Sequence, residues 1–198
     1  YFEKFYRNVL YSYMRLIAII LLSFVYSLTI NIPDEYPTIQ QGIDVAQDGD
    51  TVLVAPGIYY ENLQITRSIT LASHAIDDDL TNWISDTPYW QVVNSDINNT
   101  IIDGSANPET TEHGSGILIY SDTEDCITPT IKGFTIQNGI GTLVKRNPGE
   151  ENEAQQRLGG GILFDISNPK IQYNKFIDKS KVVEAKFKQE EVMKKIKE

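Results

Sequence analysis

The chain has 198 residues, 22% of them charged, and a formal net charge of -10. That length fits one domain with a sizeable core. The acidic balance excludes a nucleic-acid ligand, which needs a basic face to displace counterions. One cysteine excludes an intrachain disulfide, and with only His74 and His113 beside it no thiolate or imidazole set for zinc can be assembled. Cys126 itself reads as a small, partly buried residue.

The first 29 residues read as a leader with an upstream extension. Met14 is the better start, and Arg15 is followed by an apolar run from Leu16 to Leu22 that continues to Ser27. This charged start and short apolar stretch are those of a signal peptide cleaved before Leu28, and the run is shorter than the roughly 20 residues a spanning helix needs. A short anchor or a buried helix is the alternative. Tyr1 to Tyr13 is either untranslated upstream sequence or an extended charged region. The expectation is an exported bacterial protein, secreted or held at the cell surface, with no membrane span once the leader is gone.

After the leader, Thr38 offers an N-cap, and Ile39, Ile43 and Ala46 recur at helical spacing, predicting a short amphipathic helix that ends at Asp48-Gly49-Asp50. Thr51 to Ala55 is a β-rich run broken by Pro56-Gly57, and Asn62 to Ile65 and Ser68 to Ala72 are further short strands. His74 to Asn99 reads as a loop-like insertion. Then come Thr100 to Ile102, Gly116 to Tyr120, Thr130 to Gln137, Gly161 to Ile166 and Lys170 to Ile177, with the polar stretch Ile140 to Leu158 as a second insertion.

Two of these stretches repeat one another. Pro129-Thr130-Ile131 with Ile136 matches Pro169-Lys170-Ile171 with Phe176 at an offset of 40, and each is preceded by a glycine-led strand. Short strands recurring in this way predict a solenoid in which each turn buries the apolar side of the last. Ile131 should then stack over Ile171 and Ile136 over Phe176, with Asn138 and Asn174 at turn positions. The fold class expected is all-β: a right-handed parallel β-helix over residues 30–178, with a short N-terminal capping helix and a C-terminal helix. The number of turns is small, so the β-helix domain reads as incomplete. Residues 179–198 form a charged tail with 7 lysines against 4 glutamates, whereas 30–178 holds 7 basic against 22 acidic residues. In the tail, Glu184 with Lys188, Glu190 with Lys194 and Glu191 with Lys195 are favourable i,i+4 pairs, and Val183 with Phe187 and Val192 with Ile196 give a thin apolar stripe.

Asn31 to Ile65 resembles the opening of secreted right-handed β-helix proteins of the pectin-lyase-like superfamily, including bacterial surface proteins. The resemblance is carried by Pro37-Thr38-Ile39-Gln40, Gly42-Ile43-Asp44, Gly49-Asp50-Thr51-Val52, Ala55-Pro56-Gly57, Tyr59 and Glu61-Asn62. Thr100-Ile101-Ile102-Asp103-Gly104, Gly133-Phe134-Thr135-Ile136 and Gly159-Gly160-Gly161-Ile162 look like later turns of the same proteins. What the resemblance implies is fold more than activity. The catalytic words of pectinesterases and polygalacturonases are missing, and the arginines Arg67, Arg146 and Arg157 lie at or beyond strand edges, unlike those of a pectate lyase. The reading leans away from an enzyme.

Two clusters are candidate sites. Trp83, Tyr89 and Trp90 could stack on sugar rings, since an aromatic face offers an apolar surface with a polar rim; alternatively they pack the insertion onto the body. Asp77, Asp78 and Asp79 could hold calcium, or simply be solvated charge. Asp103 before Gly104 is read first as a turn residue. The function expected is a non-catalytic β-helix module for surface presentation or polysaccharide binding, with a polysaccharide or cell-surface component as partner. The alternative is the N-terminal part of a lyase or esterase acting on acidic polysaccharide.

Overall fold

The structure, a computed structural model, describes residues 27–87, 89–106, 112–146 and 154–177, with positions 6, 7, 10, 11, 13 and 14 ahead of them. The leader's apolar run at 16–26 and the tail helix at 181–198 lie outside the described residues. No helix among the described residues is long and apolar enough to cross a membrane.

In chain order the strands are β1 (Thr29–Ile32), β2 (Thr51–Val54), β3 (Gly57–Tyr60), β4 (Leu63–Ile65), β5 (Thr70–Ser73), β6 (Ile84–Ser85), β7 (Gln91–Val92) and β8 (Thr100–Asp103). They continue as β9 (Ile117–Tyr120), β10 (Thr130–Lys132), β11 (Thr135–Gln137), β12 (Thr142–Arg146), β13 (Ala154–Leu158), β14 (Ile162–Asp165), β15 (Lys170–Gln172) and β16 (Lys175–Ile177). Two short helices join them, α1 (Ile39–Val45) and α2 (Ser95–Asn99). Among the described residues the regular structure is therefore mostly strands with few helices.

Most strands enter three parallel sheets, ordered β1-β2-β5-β10-β15, β16-β11-β8-β3 and β14-β9-β4. After β1 and β2, which are neighbours in the first sheet, the chain visits the three sheets in turn, adding one strand to each before returning to the first. Parallel neighbours keep residues of equal parity opposite one another, so inward side chains line up in columns. Ile30, Val52, Leu71, Ile131 and Ile171 form one such column. Tyr59, Ile102, Ile136 and Phe176 form the second, and Ile65, Ile119 and Phe164 the third. The two pairings expected from the 40-residue repeat are thus both present as registered neighbours. The columns meet in one core, with Phe134, Leu63 and Ile117 fully buried among them; burying each such side chain stabilises by about 1.5–3 kcal/mol.

Glycine shapes two corners of this arrangement. Gly133 has φ +85 and splits the expected Thr130 to Gln137 strand into β10 and β11, because that backbone conformation turns the chain out of the extended region. A Cβ on Gly139 would run into the carbonyl oxygen of Gly160 and the amide of Gly116, so three passes of backbone meet here with no side chain between them.

The helix α1 closes the β1 end. Its four leading N–H groups all find acceptors: Ile39 and Gln40 donate to the two carboxylate oxygens of Glu61 at 2.9 Å each, Gln41 to the Thr38 hydroxyl at 3.3 Å, and Gly42 to the Thr38 carbonyl at 3.4 Å. Ile39 and Ile43 are buried against the core. The Gln40 side chain lies along the free edge of β4, donating to the Gln64 carbonyl at 3.1 Å and accepting from the Gln64 amide at 2.8 Å.

Three segments differ from the sequence expectation. β1 and β3 were not predicted. β1 is a strand through its pairing with β2, and β3 starts at the glycine of Pro56-Gly57, a pair that by itself reads as a break. The polar stretch Ile140 to Leu158 contains an antiparallel ladder, β12 with β13, in which Thr142 faces Leu158 and Val144 faces Gln156. Its base is fixed by the Ser115–Thr142 hydroxyl pair at 2.8 Å and by Arg157 donating to the Gly141 carbonyl at 2.7 Å. Cys126, expected to be partly buried, is exposed. It follows the Ser121–Asp125 turn, an exposed corner whose Ser121 and Thr123 hydroxyls bond to each other and to the Thr123 and Asp125 amides.

Candidate functional site

The insertion after β5 is folded, and it sorts its aromatic residues into two kinds. The Ser73 hydroxyl accepts from Ala75 N–H at 3.2 Å and donates to the Gly133 carbonyl, starting a 3-10 turn over His74–Asp77 while tying it to the body. Asp79 caps a second turn, Leu80–Asn82, and α2 returns the chain with Asn94 as its cap. Ala75, Leu80 and Ile97 make a small core of their own, with Trp83 and Val92 packed against it. The Thr135 hydroxyl donates to the Ile97 carbonyl at 2.7 Å, and Lys175 Nζ to Asn98 Oδ1 at 2.9 Å, so the insertion is fastened to β11 and β16.

Trp83 stands edge-on to Tyr173, with ring centroids 5.5 Å apart at 86°. Lys132 Nζ sits over the Tyr173 ring, 5.6 Å from its centroid. Trp83 is therefore an anchor between the insertion and the strand ends. From it the β6–β7 hairpin projects, closed by Val93 N–H donating to the Trp83 carbonyl at 2.9 Å. At its tip Tyr89 and Trp90 are 81% and 82% exposed. The structure thus separates the three aromatics predicted as one platform: Trp83 packs, while Tyr89 and Trp90 are presented. The difference follows from position, since only Trp83 lies beside Leu80 and Ile97.

The three aspartates are occupied in local structure. Asp78 accepts from the Asn94 side-chain amide at 2.6 Å, and Asp79 from both the amide and the hydroxyl of Thr81. Those two bonds hold the Asp79 carboxyl below the usual carboxylate range. Asp77 closes the His74–Asp77 turn. Among the described residues no three His, Cys, Asp or Glu side chains converge on a point that could hold a metal ion.

Asp103 is more than a turn residue. Only 4% of its surface is exposed at the end of β8. Its Oδ2 accepts from Gln137 at 2.8 Å and from Asn138 at 2.7 Å, and its Oδ1 from the Ser105 amide at 3.1 Å. Burial pushes this carboxyl up, but the bonds from Ser105, Gln137 and Asn138 outweigh it and hold the group below its ordinary value. No motif announces this knot, because Asp103 and its partners Gln137 and Asn138 come from separate passes of the chain. Asn138 takes the left-handed conformation at φ 60, as expected for a turn position, and Asn174 bridges backbone groups, accepting from Phe134 N–H and donating to the Ile131 carbonyl.

A polar groove of about 440 Å³ lies beside α1, lined by Gln40, Asp44, Gln64, Arg67, Tyr120 and Asp122. Its side chains hold one another: Tyr120 donates to Gln64 at 3.2 Å, and Arg67 donates to the carbonyls of Asp44 and Ala46 at 3.1 Å each. It brings together no nucleophile and base in hydrogen-bond reach. Three chain segments contribute to it, so no sequence motif announced it.

No family model, curated protein or solved structure matches this chain.

Proposed function

We propose that this chain is an exported, non-catalytic module that binds polysaccharide, and that its successive passes are the turns of a right-handed parallel β-helix of the pectin-lyase-like kind. The observation that carries the binding reading is the exposure of Tyr89 and Trp90, at 81% and 82%, on a hairpin whose root is fixed by Trp83. Two large aromatic faces held in water on a fastened support cost free energy unless a ligand covers them, and sugar rings offer the matching apolar CH face with hydroxyls at the rim. The β-helix reading is supported by three parallel sheets visited in rotation and by inward columns in register. Right-handedness is the expectation for parallel crossovers.

The test is a glycan array probed with the wild type, the Tyr89→Ala/Trp90→Ala double variant and Trp83→Ala. Binding is expected to be lost in the double variant while its fold is retained. No glycan bound above background by the wild type, or equal binding by the double variant, overturns the reading. Incubation with pectin and alginate is expected to release neither unsaturated product nor methanol.

A further inference from the structure

We infer that the sugar taken at the Tyr89 and Trp90 tip is amine-bearing, an oligomer of hexosamine with free ammonium groups, and that uronates are turned away. The inference rests on the reading of this tip as a sugar-binding surface and adds the class of sugar. The aromatic pair offers a face on which any ring can stack, so the charges around it decide which ring is held. Residues 74–99, which carry the pair, hold five aspartates, Asp77, Asp78, Asp79, Asp86 and Asp96, and neither lysine nor arginine. Two lysines of the body meet the insertion at its root: Lys175 donates to Asn98, and Lys132 sits over the Tyr173 ring that Trp83 abuts.

The carboxylates around the tip keep their charge. Asp78 and Asp79 bond to Asn94 and Thr81, which are neutral, so the bonds fix the two groups without cancelling them. Thr81 holds Asp79 below the usual carboxylate range, and Asp79 is therefore ionised wherever a sugar amine is protonated. Asp86 lies in the exposed turn that the Ser85 hydroxyl closes with both the amide and the carbonyl of Thr87. Ser85 is registered with Gln91, so Asp86 and Trp90 are the first residues beyond that pair on the two sides of the hairpin, with Cα atoms roughly 5–8 Å apart. An ammonium on a ring stacked at Trp90 then sits within a Debye length of the Asp86 carboxylate, about 8 Å at physiological salt. The same ammonium is attracted by the negative face of an indole or phenol ring. Each exposed contact of either kind changes affinity by about two- to fivefold. A uronate oligomer brings one carboxylate per ring to the same five aspartates, and the sign reverses. A lysine-rich peptide shares the ammonium but lacks the flat CH face that stacks on aromatic rings.

The experiment titrates the full chain by calorimetry, at about pH 5.5 where amines and carboxylates are both charged, with tetramers of glucosamine, N-acetylglucosamine and galacturonic acid and with tetralysine. The glucosamine tetramer is expected to bind at least about fivefold more tightly than its neutral N-acetyl counterpart, and the galacturonate not at all. Salt at about 0.5 M should collapse the preference, and Tyr89→Ala/Trp90→Ala should abolish binding of both amino sugars. Asp86→Asn/Asp96→Asn is expected to cut the preference about fourfold and leave N-acetylglucosamine binding within about twofold. Asp122→Asn/Asp125→Asn, which removes as much charge at the exposed corner between β9 and β10, is expected to change neither. Equal or tighter binding of the N-acetyl or galacturonate tetramer, lost with Tyr89 and Trp90, overturns the class of sugar and spares the sugar-binding reading. Tetralysine bound as tightly as the glucosamine tetramer overturns it in favour of a basic peptide, and an equal effect of the two aspartate pairs assigns the preference to overall charge and overturns it too. No binding of any tetramer, or unchanged binding by the Tyr89→Ala/Trp90→Ala variant, overturns both readings.

Discussion

Glu61 is the sharpest place to perturb the closed end, because one side chain there serves two donors of another element. Its carboxylate takes the first two N–H groups of α1 at 2.9 Å each, while its own backbone N–H reaches the Asp103 carbonyl at 3.1 Å. Hydrogen bonds to a charged group contribute about 1.5–3 kcal/mol net, and a negative charge at a helix start adds about 0.3–1 kcal/mol. The carboxylate is half-buried, so solvent repays part of the loss. Glu61→Ala is therefore expected to destabilise the protein by about 2–4 kcal/mol, and Glu61→Gln, which keeps one acceptor oxygen, by about 1–2 kcal/mol. Thr38→Ala, removing the single 3.3 Å cap bond, should cost about 1 kcal/mol. Urea unfolding followed by far-ultraviolet circular dichroism gives the three values, and amide exchange at Ile39 and Gln40 should accelerate in both Glu61 variants. A loss below about 0.5 kcal/mol for Glu61→Ala, the size of an ordinary surface change, would refute the claim that this carboxylate fastens α1.

Asp103 predicts a pH effect. Its folded pKa lies below the unfolded one, so its contribution is fully present above about pH 4 and is lost as pH falls through the lower folded value. Asp103→Asn should flatten the acid limb of a plot of unfolding free energy against pH and leave its neutral limb parallel to wild type. Gly139→Ala should lower the thermal midpoint more than an alanine at any exposed turn, by an amount equivalent to about 2–4 kcal/mol, because the new methyl meets backbone that has no room to retreat; a soluble variant with unchanged melting contradicts the packing described. For the hairpin, Tyr89→Ala and Trp90→Ala should leave stability within about 0.5 kcal/mol while weakening glycan binding. Trp83→Ala should cost about 1–3 kcal/mol through the small core it covers.

Legibility in the sequence followed how local each feature was. The Thr38 cap and the Ile39/Ile43 spacing depend on neighbours within a turn, and the helix stands where they put it. The pairings of Ile131 with Ile171 and Ile136 with Phe176 were readable because the repeat carries its own register. β1 was not, since Thr29–Ile32 becomes a strand only by lying beside Thr51–Val54, and its residues adjoin the apolar leader run. Trp83 and Trp90 share a residue type and a loop yet have opposite environments. What decides between them is Ile97 on α2 and Tyr173 after β15, which a reading along the chain does not set beside them. Asp103 shows the same limit: its bonds to Gln137 and Asn138 cross from β8 to the end of β11, and the adjacent glycine pointed only to a turn.

The side-chain amide of Gln40 has a consequence for the edge of β4. By filling both hydrogen-bonding positions of Gln64, it impersonates the peptide group of a neighbour that is not there. A strand arriving at that edge finds its seat at Gln64 taken, so this one edge is shielded from capture of foreign chain without a further strand to cover it.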